Sequence, residues 1–302
     1  MYTGRTFDFS CRHHILIRNE DNSFSRMDEP YFLSRLIAPG TWQILGDGDF
    51  TYLAEGEEEA LVIDSGYGCG SIREYCSSLT KKPVRKVANT HSHFDHTANN
   101  GYFECAYMSA VTKGELLNIT KPSLEGVRFP MDYQVQIIEE GYVFRLGERN
   151  LEVLKMPDHD EGSLVFLDRK QHLLFSGDEI PMQEKRLKGS VERFAAELEK
   201  LMRYRQEIDM LCTGAGVYPA VIIERYLRNA EYILFGHEGG PAWKARKVEE
   251  EEPGPNGETV YRRRLPRPCD QKIENRDMEY KRAMTYAGCT IIYDVRRIRE
   301  DN

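Results

Sequence analysis

No apolar run in this sequence approaches the roughly 20 residues that a helix needs to cross a bilayer, so membrane association is not expected. The start, Met1-Tyr2-Thr3-Gly4-Arg5-Thr6-Phe7-Asp8, lacks the basic-then-apolar order of a secretory signal. Positive charge is not in excess: Lys plus Arg number 41 against 49 Asp plus Glu, a net charge of -8. A protein that neutralises phosphates is normally basic, so nucleic acid is not an expected partner. No C-x-x-C occurs, and the 7 cysteines (Cys11, Cys69, Cys76, Cys105, Cys212, Cys269 and Cys289) are odd in number and scattered. They read as free thiols of a reducing compartment, not as a disulfide framework or a zinc knuckle. These absences point to a cytoplasmic protein with neither nucleic acid nor membrane as a partner, and they leave a homo-oligomer open.

What is present suits a packed globular chain. Its 302 residues are 40% hydrophobic and 30% charged, enough for one large domain or two ordinary ones. Composition divides the sequence into an irregular polar arm (1–39), a main domain (40–237) and a strand-and-loop appendage packed on it (238–302). Thr41–Leu45, Phe50–Ala54 and Ala60–Asp64 alternate like strands, with Gly46, Gly48 and Gly56 between them, and predict an antiparallel meander. Helical spacing predicts helices near Ser71–Leu79, after Ser190 as a cap, and from Pro219 to about Phe235. Further strands are expected at Val84–Thr90, Gln134–Ile138, Leu151–Met156, Leu164–Leu167, His172–Phe175 and Met210–Cys212. In the appendage, a run of carboxylates at Glu249–Glu252 precedes Asn256-Gly257, which reads as a solvated hairpin turn.

The chemistry concentrates in His91-Ser92-His93-Phe94-Asp95-His96, directly after the strand that ends at Thr90. The chain has only 8 histidines, and this window holds three of them. A loop can turn alternate imidazoles toward one metal ion while the Asp-His pair faces another. Imidazole with carboxylate suits zinc, manganese or iron. Other histidines carry less: Cys11-Arg12-His13-His14 reads as exposed polar residues of the arm, and His172 as a surface residue. Cys212 reads as a buried strand cysteine.

The pattern H-x-H-x-D-H resembles the metallo-β-lactamase superfamily, and other motifs agree in order: Asp64 in Leu61-Val62-Ile63-Asp64-Ser65-Gly66, His159 in Met156-Pro157-Asp158-His159-Asp160-Glu161-Gly162-Ser163, and Asp178 in Leu174-Phe175-Ser176-Gly177-Asp178. The resemblance covers about residues 40–236 and implies an α/β fold, a four-layer αβ/βα sandwich with metals on loops at one edge. It assigns His91, His93 and His159 to a first divalent ion. It assigns Asp95, His96 and Asp178 to a second, with Asp178 bridging. Both ions are expected to be zinc, with manganese or iron as substitutes. Asp64 would orient the ligand loop through hydrogen bonds, although alone it would also suit a turn cap. The implied function is a metallohydrolase in which a metal-bound hydroxide cleaves an ester, thioester, lactone or amide bond of a small molecule. Asp95 would hold the nucleophile and shuttle its proton.

One departure stands out. The family closes its second site with a histidine in a Gly-His-Gly-like turn, whereas this chain has Cys212-Thr213-Gly214-Ala215-Gly216. Three readings account for Ala215: an engineered His→Ala change that weakens the enzyme, a site for a single tight metal, or His237 entering from the following helix end. The intact surroundings favour the first, and His237 reads better as a surface residue. Two other functions stay open: a mononuclear iron dioxygenase of the persulfide type, with two histidines and one aspartate, and a non-catalytic ligand-binding member of the superfamily.

Overall fold

The computed structural model describes residues 16–18, 24–26, 32–46, 49–66, 71–116, 133–242, 252–253, 259–261 and 280–300. The Cys11–His14 cluster, the Asn256-Gly257 turn and the acidic residues Glu249–Glu251 lie outside the described residues. The first elements are β1 (Leu16–Arg18), β2 (Phe24–Arg26), β3 (Leu33–Ala38), β4 (Thr41–Leu45), β5 (Phe50–Glu55), β6 (Ala60–Ile63), α1 (Ile72–Leu79) and β7 (Val84–Ala88). There follow α2 (Phe94–Thr97), β8 (Cys105–Met108), α3 (Ala110–Leu116), β9 (Gln134–Ile137), β10 (Val143–Arg145), β11 (Asn150–Lys155), β12 (Leu164–Asp168) and β13 (Leu173–Gly177). Next come β14 (Glu184–Arg186), α4 (Val191–Met202), β15 (Met210–Thr213), β16 (Gly216–Pro219), α5 (Val221–Leu234) and β17 (Gly240–Pro241). The last are β18 (Glu252–Pro253), β19 (Thr259–Tyr261), β20 (Lys281–Tyr286) and β21 (Cys289–Asp294).

Two mixed sheets form the centre. The seven-stranded sheet runs β3-β4-β5-β6-β7-β8-β9, antiparallel through β6 and parallel beyond it. The six-stranded sheet runs β10-β11-β12-β13-β15-β16, with one parallel pair, β13 with β15. Their inner faces pack Leu61, Ile63 and Tyr52 against Val153, Phe166 and Phe175. Helix α1 covers the outer face of the first sheet through Ile72 and Cys76. Helices α4 and α5 cover the outer face of the second through Phe194, Leu198, Ile223 and Tyr226. The result is the expected sandwich of helix, sheet, sheet and helix. Strands β12 and β13 are buried along their whole length, which explains their continuous apolar sequence.

Local signals act as expected at several boundaries. The Ser190 hydroxyl accepts a hydrogen bond from the Arg193 N–H (3.0 Å) at the start of α4, and Ser71 does the same for Glu74 (3.2 Å) in α1. Two expectations need correction. The stretch expected to be irregular up to about residue 40 contains β3, whose residues show no clean apolar alternation. It is an edge strand, held by pairing with β4 and bulged between Leu36 and Ala38. Pro219 ends β16 and precedes the helix, because its backbone pairs with Met210.

At the end of the sandwich away from the metal-ligand motifs, buried Arg149 binds across the two sheets. Its guanidinium donates to Asp168 (2.7 Å), to the carbonyls of Gly40 (2.8 Å) and Glu55 (2.9 Å), and to Thr41 (2.7 Å). A charge buried with this many partners is satisfied, and removing Arg149 would leave Asp168 uncompensated. Strands β20 and β21 join β14 and β17 in a small sheet, and Ile291 and Tyr293 pack with α5. Among the described residues, no helix is long and apolar enough to cross a membrane.

Candidate metal centre

The motif residues leave the ends of β6, β7, β11 and β13, all at one edge of the sandwich. Asp64 follows β6 in the left-handed region (φ 57°), which a short polar side chain tolerates better than most. His91 and Ser92 follow β7, His93 stands at the start of the short helix α2, and Asp95 and His96 lie in its first turn. The loop is tied back by the His96 carbonyl, which accepts from Ser65 N–H (2.8 Å) and from the Asn89 amide (3.0 Å). Leu164 N–H donates to the Thr90 carbonyl (2.8 Å), so the second sheet holds the loop as well.

Asp64 sets the proton positions of two histidines. Its carboxylate accepts from the Thr90 N–H (2.7 Å), the Thr90 hydroxyl (2.8 Å) and His96 Nδ1 (2.8 Å). The single hydroxyl proton of Thr90 is thus committed to Asp64. His91 Nδ1, 3.0 Å from that hydroxyl oxygen, must donate to it. Both His91 and His96 therefore carry a proton on Nδ1 and direct Nε2 into the site. Those two Nε2 atoms are buried and have no hydrogen-bond partner. Buried orphan nitrogens of this kind call for a ligand.

Three groups of side chains converge there, each with ligand atoms within 4.8 Å of one another: His91, His93 and His159; His91, His96 and Asp178; and Asp49, Asp95 and His96. His93 Nδ1 and His159 Nε2 face each other at 2.9 Å, a spacing that needs one proton or one cation between them. Asp178 lies between the groups, 3.6 Å from His96 Nε2 and 3.7 Å from His159 Nε2. Burial holds His91, His93 and His159 below their ordinary pKa, which keeps them neutral, as ligation requires. Burial opposes charge on His96 too, but the carboxylates of Asp64 and Asp178 outweigh it and raise the group. Burial would raise Asp178, but His96, His159 and His93 hold it well below the carboxylate range. The pocket thus combines three neutral imidazoles with a negative field around His96, and the residues fit divalent cations.

A buried ion cluster beneath the site positions His159. Glu179 accepts from the backbone N–H groups of Asp158 (3.3 Å), His159 (2.9 Å) and Asp160 (3.3 Å). Lys185, only 2% exposed, bridges Glu179 (2.8 Å) and Asp158 (3.0 Å). Asp160 accepts from the Ser92 N–H (3.1 Å) and the Gly162 N–H (2.7 Å), joining the His159 loop to the His91 loop.

All six ligand candidates from the sequence, His91, His93, Asp95, His96, His159 and Asp178, come together, with Asp64 directly behind them. His237 does not join any of the groups; its ring stacks on Tyr232 at 3.6 Å, at the end of α5. His172 is exposed and Cys212 buried. Sequence reasoning missed Asp49, Thr90, Glu179 and Lys185. For Asp49 the only signal was an acid between Gly48 and a strand, which a turn explains equally well.

The chain is similar to several known proteins. Acyl-coenzyme A thioesterase MBLAC2 of Gallus gallus is 31% identical over 157 residues, 43% of this chain and 56% of that protein. The Homo sapiens protein of the same name is 31% identical over 160 residues, 43% of this chain and 57% of its own length. An atrochrysone carboxyl ACP thioesterase of Aspergillus fumigatus is 26% identical over 149 residues, 47% of this chain and 42% of that protein. The chain thus spans only about half the length of these curated relatives. Among solved structures, a metallo-beta-lactamase from Pontibacter korlensis aligns with a TM-score of 0.54 at 16% identity, over 66% of this chain and 99% of that one. DIM-1 metallo-beta-lactamase aligns with a TM-score of 0.52 at 14% identity, over 68% of this chain and 98% of its own. At such identities these two likenesses speak for the fold alone. The family model of the metallo-beta-lactamase superfamily matches residues 46–237, a span of more than half the sequence that contains every residue of the three ligand groups. The chain therefore belongs to the metallo-β-lactamase superfamily.

Proposed function

We propose that this chain is a metal-dependent thioesterase that hydrolyses the bond between an acyl group and the thiol of a carrier such as coenzyme A or an acyl carrier protein. The observation that carries the reading is the position of Asp178, within 3.7 Å of both His96 and His159. That position supports a pair of cations sharing one carboxylate, and so a hydrolase over a single-iron oxygenase. The curated relatives compared above are thioesterases, which supports the thioester as the scissile bond.

His91, His93 and His159 would hold the first cation, and His96, Asp95 and Asp178 the second. Zinc suits the three-imidazole set best. Such a pair supplies an activated water and polarises the substrate carbonyl. The protein's own part is positional and acid–base. Asp64 holds the Nδ1 proton of His96 and, through Thr90, that of His91, so that the Nε2 atom of each ring faces the site. Glu179 fixes the backbone that carries His159. Asp95, half-buried beside His96, accepts a hydrogen bond from the attacking water and takes its proton. The thiolate leaving group then needs little protonation, since a thiol is far more acidic than an alcohol.

The test is a panel of acyl-coenzyme A esters of graded chain length beside matched oxygen esters and a lactone. Thiol release and oxygen uptake are followed together. Thioester turnover should exceed ester turnover by at least about tenfold in kcat/KM, with no oxygen consumed. Oxygen uptake with a persulfide, or no cleavage by the metal-loaded protein, would overturn the reading.

A further inference from the structure

The family's second site lacks its usual histidine here, because Ala215 has no donor atom. Ala215 lies in the two-residue turn between β15 and β16, where Thr213 pairs with Gly216. Its neighbour Gly214 presses against the site. A Cβ at 214 would lie 2.3 Å from Asp178 Oδ1, 3.0 Å from His96 Cε1 and 3.2 Å from Asp49 Oδ1. The Gly214 carbonyl accepts the Phe50 N–H at 2.9 Å. The turn that would have presented a histidine therefore anchors the residue after Asp49 instead.

Asp49 is half-buried, and its carboxylate shares a cluster with Asp95 and His96 in which all ligand atoms lie within 4.8 Å. Acidic residues gathered together are not by themselves a site. The independent observation is His96, 0% exposed, whose Nε2 has no hydrogen-bond partner and belongs to this cluster. Asp49, Asp95 and Asp178 surround that nitrogen with three carboxylates, an arrangement that calls for a cation.

We propose that Asp49 replaces the missing histidine as a ligand of the second cation, making that site one imidazole and three carboxylates. This inference rests on the dinuclear reading above. It carries a consequence for selectivity. The first site offers three imidazoles and suits zinc; the second is rich in oxygen and suits a harder ion such as Mn²⁺. The loss of a histidine at 215 is then compensated within the chain, and the second site is rebuilt with different donors.

The experiment uses the full chain, stripped of metal and titrated with Zn²⁺ and with Mn²⁺. Bound metal is counted by mass spectrometry, and Mn²⁺ is followed by electron paramagnetic resonance. The parent should bind two equivalents, with Mn²⁺ entering one site in preference. Asp49→Asn should keep one tight equivalent and bind the second at least about tenfold more weakly. The double variant Asp49→Asn/Ala215→His should recover the second equivalent and shift it toward Zn²⁺, which also shows that the single variant still folds. A second equivalent of unchanged affinity in Asp49→Asn, or a parent with one equivalent that Asp49→Asn does not alter, overturns the assignment. A parent that binds no metal overturns the dinuclear reading beneath it and the assignment together.

Discussion

Replacing Lys185 with methionine should cost about 3–5 kcal/mol of stability, the range for breaking a buried ion pair by removing one partner. In melting temperature this is on the order of 10 °C. Lys185 is 2% exposed and lies within 3.0 Å of both Asp158 and Glu179. Methionine fills similar space but leaves two buried carboxylates facing each other. Relieving that repulsion requires protonation of one of them. Glu179 is the more exposed to this outcome, because burial and Asp158 already raise it, with Lys185 opposing. A protonated or displaced Glu179 releases the backbone N–H groups of residues 158–160, and His159 loses its position. Thermal melting should show the loss of stability, and zinc titration a weakened first site. The double variant Lys185→Met/Glu179→Gln should recover part of the stability, because it removes one of the opposed charges. Unchanged melting and unchanged zinc affinity in Lys185→Met would show that the cluster does not support the site.

Gly214→Ala should leave the fold in place and reduce turnover by about 100-fold or more, the scale expected for an ångström-sized displacement of reacting groups. The added Cβ would stand 2.3 Å from Asp178 Oδ1 and 3.0 Å from the His96 ring. The His96 ring cannot retreat easily, since it is held by Asp64 at 2.8 Å. The turn itself is fixed by Gly214 N–H donating to the Gly177 carbonyl (3.0 Å). Asp178 must move, and it is the carboxylate that lies within 3.7 Å of both His96 and His159. Circular dichroism should be unaltered while metal stoichiometry and thioester turnover fall together. Full activity in Gly214→Ala would mean that Asp178 does not need its present position.

The parts of the site legible in the sequence were those written in short-range order. His91, His93, Asp95 and His96 stand within one loop and its following turn, so their convergence is nearly local. Asp64, His159 and Asp178 were legible because each follows a recognisable strand, and the strand ends meet at one edge. Lys185 was not legible. It lies in Gln183-Glu184-Lys185-Arg186, a polar run that reads as surface, and it is buried because β14 pairs with β21, more than a hundred residues later in the chain. Asp49 was hidden for a similar reason: its local sequence specifies only a turn, and its neighbours come from α2 and from the residues that follow β13 and β15. Strand β3 escaped notice because pairing with β4, not its own alternation, makes it a strand.

Thioester cleavage should depend on cations held by these side chains. The most direct measurement removes them from the full chain with a strong chelator, verifies the loss by mass spectrometry, and follows thiol release from an acyl-coenzyme A before and after metal is returned. Turnover should fall to the uncatalysed rate in the stripped protein and recover on adding about two equivalents of a divalent ion. Undiminished turnover by verified metal-free protein would contradict this dependence on cations.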